Sequence, residues 1–268
     1  MSGPRGKRDR ELEAGSRAHY EDPAYYAVTY AGRVDDVAFY VALARECGGA
    51  MLEYGIGNGR IAIPAAREGI DVVGVDHSRE MLADLKRRLA LEPAEVRRRV
   101  RGVRGDMRRA RLDRRFPLVA ATFNTALHLY TRQDVEAFLA RVREHLSPGG
   151  RFVVDLSVPS PADLARDPSR PFHVPRFRHP TTGTVVRNRE RFDYDPVRQV
   201  LFVAMEFEPV DGRAPAWMTP LAHRQFFPRE WEALLHYNGF DVLRVEGDFT
   251  GGPLTKDSDV MVWHARLR

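Results

Sequence analysis

An α/β fold with a mainly parallel sheet is predicted by three observations. Residues 50–54 form an apolar run carrying one acid, Glu53, and lead into Gly55-Ile56-Gly57-Asn58-Gly59-Arg60. Asp71-Val-Val-Gly-Val-Asp76 then reads as a second buried strand ending in a carboxylate, 17 residues past Gly59. Beyond it, apolar strand segments alternate with a helical period as far as residue 156. Glycine at every second position after a strand makes a tight turn whose backbone a ligand can approach closely. Paired with a strand-terminal acid, such a turn suits a nucleoside, the acid taking the ribose hydroxyls.

The elements follow in order. A helical pattern starts near Ile61, and Val96–Arg104 is expected as strand three, leading into Gly105-Asp106-Met107. Residues 117–124 form an apolar strand that opens into Asn124-Thr-Ala-Leu-His128. Val135, Phe138, Leu139, Val142 and Leu146 recur at helical spacing over residues 134–146. Ser147-Pro-Gly-Gly150 ends that helix and Arg151–Asp155 is strand five. The dinucleotide fingerprint needs a third glycine where this chain has Arg60, so the turn is G-x-G-x-G and a nicotinamide dehydrogenase is disfavoured.

Glu53, the three glycines, Asp76, Asp106 and the Pro-Gly-Gly turn, in this order over residues 50–156, resemble the motifs of class I S-adenosylmethionine-dependent methyltransferases. The chain resembles small-molecule members related to the glycine, sarcosine and sugar-amine N-methyltransferases, which carry an inserted sheet after strand five. The resemblance implies a Rossmann-like seven-stranded sheet of order 3-2-1-4-5-7-6 with strand seven antiparallel, and S-adenosylmethionine as cofactor without a metal. It also implies roles. Glu53, Gly55, Ile56, Gly57 and Gly59 would approach the amino-acid end of the cofactor and Asp76 the ribose. Asp106, with Gly105 and Met107, would meet the adenine, and Asn124 would lie beside the transferable methyl. His77, Ile56, Met81, Met107 and Leu127 are expected near the adenine or, for the apolar ones, in the core.

Composition sets bounds. The 268 residues are 43% hydrophobic and 29% charged, as in ordinary globular proteins, and leave room for one α/β core with an elaboration. No apolar run is long enough to span a membrane and no signal peptide is evident, so a cytoplasmic location is expected. Cys47 is the single cysteine, which excludes an internal disulfide and a cysteine-rich metal site. The net charge is +5, and arginine occupies ten positions from Arg97 to Arg115. Arginine replaces lysine nearly everywhere, lysine occurring only at Lys7, Lys86 and Lys256. The run also lacks interleaved aromatics for base stacking. A solvated sheet edge is therefore favoured over a nucleic-acid surface.

The remaining segments surround this core. Residues 1–18 are polar and are expected as a disordered tail. Residues 19–156 and 228–268 are assigned to the core, with a helix over 34–43 and, from 228, a helix that Pro228 starts and Asn238-Gly239 ends. Tyr20, Tyr30 and Arg33 precede the first core helix. In the family an N-terminal tyrosine or arginine meets the methionine carboxylate, and Arg33 suits that role because a guanidinium pairs with a carboxylate in bidentate fashion. Packing alone is the alternative for the tyrosines. Residues 157–227 exceed a plain connection. They contain three strand-like runs, expected as an inserted antiparallel sheet that shapes the acceptor pocket or forms a homodimer.

Methyl transfer from a sulfonium requires alignment and a dry site, and a base only when the acceptor must lose a proton. His128 and His223 are the candidate bases, since histidine titrates near neutrality. Asn124 is followed by Thr125 and not by the Pro-Pro-aromatic run of nucleobase and glutamine methylating enzymes. A small-molecule acceptor, methylated on nitrogen or oxygen, is expected. The alternatives are an RNA-modifying enzyme and a non-catalytic nucleoside-binding protein.

Overall fold

The computed structural model describes residues 8–268. Its strands, in chain order, are β1 (Ala50–Tyr54), β2 (Asp71–Asp76), β3 (Val100–Arg104), β4 (Phe116–Ala121), β5 (Leu146–Ser157), β6 (Phe172–Arg178), β7 (Val185–Asp195), β8 (Val200–Pro209), β9 (Trp217–Arg224), β10 (Phe240–Glu246) and β11 (Val260–Leu267). The chain divides into two compact units. Arg33–Val158 with Phe226–Arg268 forms the larger, and the described residues up to Gly32 with Pro159–Gln225 form the smaller.

In the larger unit the seven-stranded sheet has the order β3-β2-β1-β4-β5-β11-β10. The strands from β3 to β5 pair parallel, and β11 runs antiparallel to both β5 and β10. This is the order 3-2-1-4-5-7-6 expected from the motifs. Strands buried on both faces read as continuous apolar runs, which is why Leu118-Val-Ala-Ala121 and Phe152-Val-Val154 lack alternation. Helices cover both faces. Asp35–Glu46, Ala62–Arg67 and Arg79–Ala90 contribute Tyr40, Leu43, Ile63 and Leu85 to one apolar cluster. Arg132–His145 and Pro228–Tyr237 contribute Phe138, Leu139, Val142 and Trp231 to the other. Parallel pairing brings the carboxyl ends of β1, β2, β4 and β5 to one edge of the sheet, where the motif residues lie.

Strand three is shorter than its arginine-rich run suggests. Ala94–Arg99 is helical and only Val100–Arg104 is extended. Pro93 starts that helix, and Arg97, Arg98 and Arg99 occupy its last turn, where cations meet the negative end of the helix dipole.

The smaller unit differs from expectation in three ways. Its antiparallel sheet has four strands, β6-β7-β8-β9, rather than three. Strand β6 escapes sequence reading because Pro175 interrupts it. At an edge the missing N–H is tolerated, and the register shifts between Val174 and Phe177. Second, residues up to Gly32 cluster with this sheet and not with the core to which residues from 19 onward were assigned. Third, the expected tail is helical over Arg8–Gly15, while residues 1–7 lie outside those described. That helix packs on β9 with a backbone approach so close that a Cβ on Gly15 would sit 2.5 Å from the Ala222 Cβ. Its sequence is nearly all polar, so the apolar period that signals a helix is absent. Asp22 caps the next helix, Pro23–Thr29, by accepting from the Tyr25 N–H (2.9 Å), and it also accepts from the Thr181 hydroxyl (2.6 Å). Tyr25 stacks on His179 with ring centroids 5.2 Å apart.

Gly15→Val should release the first helix, because a branched side chain there meets both Ala222 Cβ and the Ala222 backbone nitrogen. Limited trypsin digestion is expected to cut at Arg17 several-fold faster in the variant. Equal rates would show that the helix does not depend on this contact.

Candidate active site at the carboxyl ends of the core strands

The glycine turn leaves β1 with positive φ at Gly55 (75°), Gly57 (55°) and Gly59 (83°). At two of these positions the absent Cβ makes room for the protein itself. A Cβ on Gly55 would stand 2.1 Å from the Thr125 Oγ1, and one on Gly59 2.5 Å from a Leu85 methyl. The turn is thus locked against the segment after β4 on one side and a core helix on the other. Ile56, Met81 and Leu127 are buried in the core, which favours their packing role, and Ile56 lies over Gly74. Met107 is half-buried and packs against the second apolar cluster.

Two buried carboxylates flank the turn. Asp76, at the end of β2, accepts from the Gly57 N–H (2.8 Å) through one oxygen and from the Ser78 N–H (2.8 Å) through the other. Burial raises its pKa, and those two N–H bonds act against the rise. A carboxylate has about four lone-pair sites, so Asp76 keeps capacity for hydroxyl donors. Next to it His77 is exposed, with Nδ1 4.0 Å from Asp76. Glu53, in β1, accepts from the Thr122 hydroxyl (2.9 Å) through Oε1. Its Oε2 is buried without a hydrogen-bond partner among the described residues. Burial pushes the Glu53 pKa up to about 8, against the Thr122 bond and the Arg60 charge.

Arg60, read in the sequence only as a missing glycine, is a structural anchor. Its guanidinium grips buried Asp36 through two hydrogen bonds (2.6 and 2.7 Å) and donates to the Arg33 carbonyl oxygen (3.1 Å). Arg33 lies 3.9 Å from Asp36, and its guanidinium is 4.4 Å from the Phe123 ring centroid, that of Arg60 5.1 Å. Two guanidinium groups packed on one aromatic ring gather positive charge beside the glycine turn.

Gly105 donates its N–H to the Asp76 carbonyl oxygen (2.9 Å), and Asp106 follows at the end of β3. Asp106 accepts from the Arg108 backbone and guanidinium, and Arg108 also pairs with Asp134. Burial raises the Asp106 pKa, but the Arg108 bonds and charge outweigh it and leave the carboxyl below its usual range. After β4, Thr125–His128 forms a short 3-10 helix. Asn124 is tied to Ser157 by both side-chain ends (2.7 and 2.8 Å). His128 Nδ1 pairs with the Tyr130 hydroxyl at 3.2 Å. Tyr130, Asp36 and Asp155 were not singled out in the sequence, and Arg60 was read there without its contacts. Their partners are remote in sequence or, for Tyr130, give no pattern at two residues' distance.

Tyr20, Tyr30 and His223 belong to the smaller unit. There Tyr20, Tyr25, Tyr26 and Tyr30 ring His19, and the Tyr30 hydroxyl pairs with His19 Nε2 (3.0 Å). Burial, and secondly His19, push the His223 pKa down to about 3, so at neutral pH it is a weak proton acceptor. Among the described residues no group of three or more His, Cys, Asp and Glu side chains is arranged to hold a metal.

Residues 51–150 match the family model for a methyltransferase domain. The larger unit has the fold of a class I methyltransferase core. A dTDP-3-amino-3,4,6-trideoxy-alpha-D-glucopyranose N,N-dimethyltransferase of Streptomyces venezuelae is 30% identical over 126 residues, 47% of this chain. That match spans half the length of the relative. Among solved structures, the CcbJ methyltransferase of Streptomyces caelestis superposes with a TM-score of 0.76 at 26% identity, over 89% of this chain and 98% of that one. The glycopeptide N-methyltransferase MtfA, in complex with S-adenosyl-L-methionine, gives 0.60 at 26%, over 88% and 94%.

The raised Glu53 pKa has a thermodynamic consequence. The unfolded chain ionises this group near 4.5 and the folded chain holds its proton until about 8, so the residue lowers stability progressively over that window. Glu53→Gln should therefore show a melting-temperature advantage over wild type that grows from pH 4.5 to 8 and then levels off. Calorimetry finding a pH-independent difference would contradict the assignment.

Proposed function

We propose that this chain transfers a methyl group from S-adenosylmethionine to an amino nitrogen of a small molecule, an amino sugar being the favoured acceptor class. The observation that carries the donor assignment is the buried, unpartnered Oε2 of Glu53 beside the glycine turn. Leaving such an atom unsatisfied costs about 1–3 kcal/mol, and a cationic amine is the partner that suits a carboxylate with a raised pKa. Asp76 adds acceptor capacity for ribose hydroxyls, and the Arg33 guanidinium provides a site for a carboxylate. Asp106 takes the adenine side, its lone pairs shared with Arg108. When bound, S-adenosylmethionine supplies a methyl already activated by the sulfonium.

The protein then has three tasks. Glu53, Asp76 and Arg33 bind and orient the donor. The apolar residues behind the turn, Ile56 and Leu127 among them, keep water out. His128, its imidazole paired with Tyr130, accepts the proton that an ammonium acceptor must lose to become nucleophilic. His223 is the weaker choice for that task because of its low pKa. The nitrogen reading is supported by the activities named for the S. venezuelae relative and for MtfA, an amino-sugar N,N-dimethyltransferase and a glycopeptide N-methyltransferase. A small acceptor is favoured over RNA because arginines of the 97–115 run are engaged within their own unit, Arg99 with Asp71, Arg108 with Asp106 and Asp134, and Arg111 with Glu144. No helix among the described residues is long and apolar enough to cross a membrane. A homodimer through the four-stranded sheet and a cytoplasmic location belong to the same proposal, and sedimentation of the full chain tests the first.

Asp76→Ala is expected to weaken S-adenosylhomocysteine binding by about 1–3 kcal/mol, the loss of a charge-assisted hydrogen bond. Unchanged affinity by titration calorimetry would remove the ribose assignment. With dTDP-3-amino-deoxyhexoses as acceptors, wild type should give a mono- or dimethylated product by mass spectrometry. His128→Asn should lower turnover at saturating donor at least tenfold with little change in donor affinity. If turnover survives with an unaltered pH profile, His128 is not the base.

A further inference from the structure

The turn after β4 holds two consecutive residues in the left-handed region, and neither is glycine: Phe123 (φ 48°) and Asn124 (φ 64°). For Phe123 this conformation costs about 1–2 kcal/mol, asparagine adopting it more readily, and such strain persists only where the surroundings over-determine it. Here they do. The Phe123 N–H is shared between both oxygens of Asp155, each at 2.9 Å. Asp155 is buried in β5 and accepts in turn from the Tyr40 hydroxyl at 2.6 Å. Two residues further along β5, Ser157 holds the Asn124 side chain. The strained turn is then followed at once by Thr125, whose hydroxyl stands where a Cβ on Gly55 would be, and by the short helix that carries His128.

We propose that Asp155 is a positioning residue for methyl transfer: through the Phe123 N–H it holds Phe123 and Asn124 in their left-handed path, and so sets Thr125 against the glycine turn and fixes the start of the short helix that carries His128. The inference rests on the proposed methyl transfer for its consequence and on the backbone for its cause. Asp155 touches neither donor nor acceptor in this role. Tyr40 assists by fixing the carboxylate, with which it makes a buried bond across 115 residues of chain. An amide in place of the carboxylate sets an NH2 group against the Phe123 N–H, a donor facing a donor, whereas glycine at position 123 adopts positive φ without resistance.

A double-mutant cycle separates positioning from general loss of structure. Asp155→Asn, Phe123→Gly and the pair are compared with wild type for amide hydrogen exchange over residues 122–128, S-adenosylhomocysteine affinity and turnover of dTDP-3-amino-deoxyhexoses. Asp155→Asn should speed exchange in that segment at least tenfold and lower kcat at least tenfold, with donor affinity changed less than threefold. In the Phe123→Gly background the same substitution should change exchange and kcat less than threefold. Equal effects in both backgrounds, or exchange within twofold of wild type, would overturn the proposal. Should Asp155→Asn not fold, Tyr40→Phe replaces it in the cycle, with a smaller rise in exchange expected and the same loss of effect beside Phe123→Gly. If wild type turns over no acceptor, the functional reading falls, and the exchange cycle still decides whether Asp155 holds the turn.

Discussion

Carboxylates buried at the carboxyl ends of parallel strands are the constraint on which the site depends. Glu53, Asp76 and Asp155 belong to β1, β2 and β5, and burial raises the pKa of each. A buried carboxylate is tolerated only where donors reach it. The chain meets that demand with backbone N–H groups from its own turns and with Thr122 and Tyr40. Each bond therefore fixes a turn as well as satisfying an acid. Asp76 holds the glycine turn and Asp155 the turn after β4. Glu53 is the exception, with one oxygen left without a hydrogen-bond partner among the described residues.

Arg60 shows how a departure from a familiar motif becomes structure. With glycine absent at that position, a guanidinium reaches Asp36 on the first core helix and the carbonyl of Arg33 ahead of it. Since Asp36 is buried, breaking the pair would leave an uncompensated charge, a change that costs several kcal/mol in comparable sites. The fork thus ties the glycine turn to the segment that presents Arg33, and Phe123 lies beneath both cations.

The sheet was legible because buried parallel strands write continuous apolar runs and the glycine turn marks its own place. Roles for Glu53, Asp76 and the turn came from the resemblance of their order to the family's motifs. What could not be read depended on contacts remote in sequence. Tyr40 and Asp155 meet across most of the core, and Arg60 finds Asp36 on a helix that precedes it. The helix Arg8–Gly15 lacks an apolar face and is held by backbone proximity at Gly15, for which polar sequence gives no sign. Strand β6 was hidden by Pro175, and the arginine run by its division between a helix end and a strand. His223 and His128 were both candidate bases in sequence; burial, and secondly His19, lower the His223 pKa.

The central claim is that the strand-end carboxylates around Gly55–Gly59 receive S-adenosylmethionine. A crystal structure of the full chain with S-adenosylhomocysteine tests it most directly. The ribose hydroxyls should lie on Asp76 and the amino group on Glu53 Oε2, each within ordinary hydrogen-bond distance of about 2.6–3.2 Å. A nucleoside bound elsewhere, or one seated at the turn with Glu53 Oε2 still unpartnered, would contradict it.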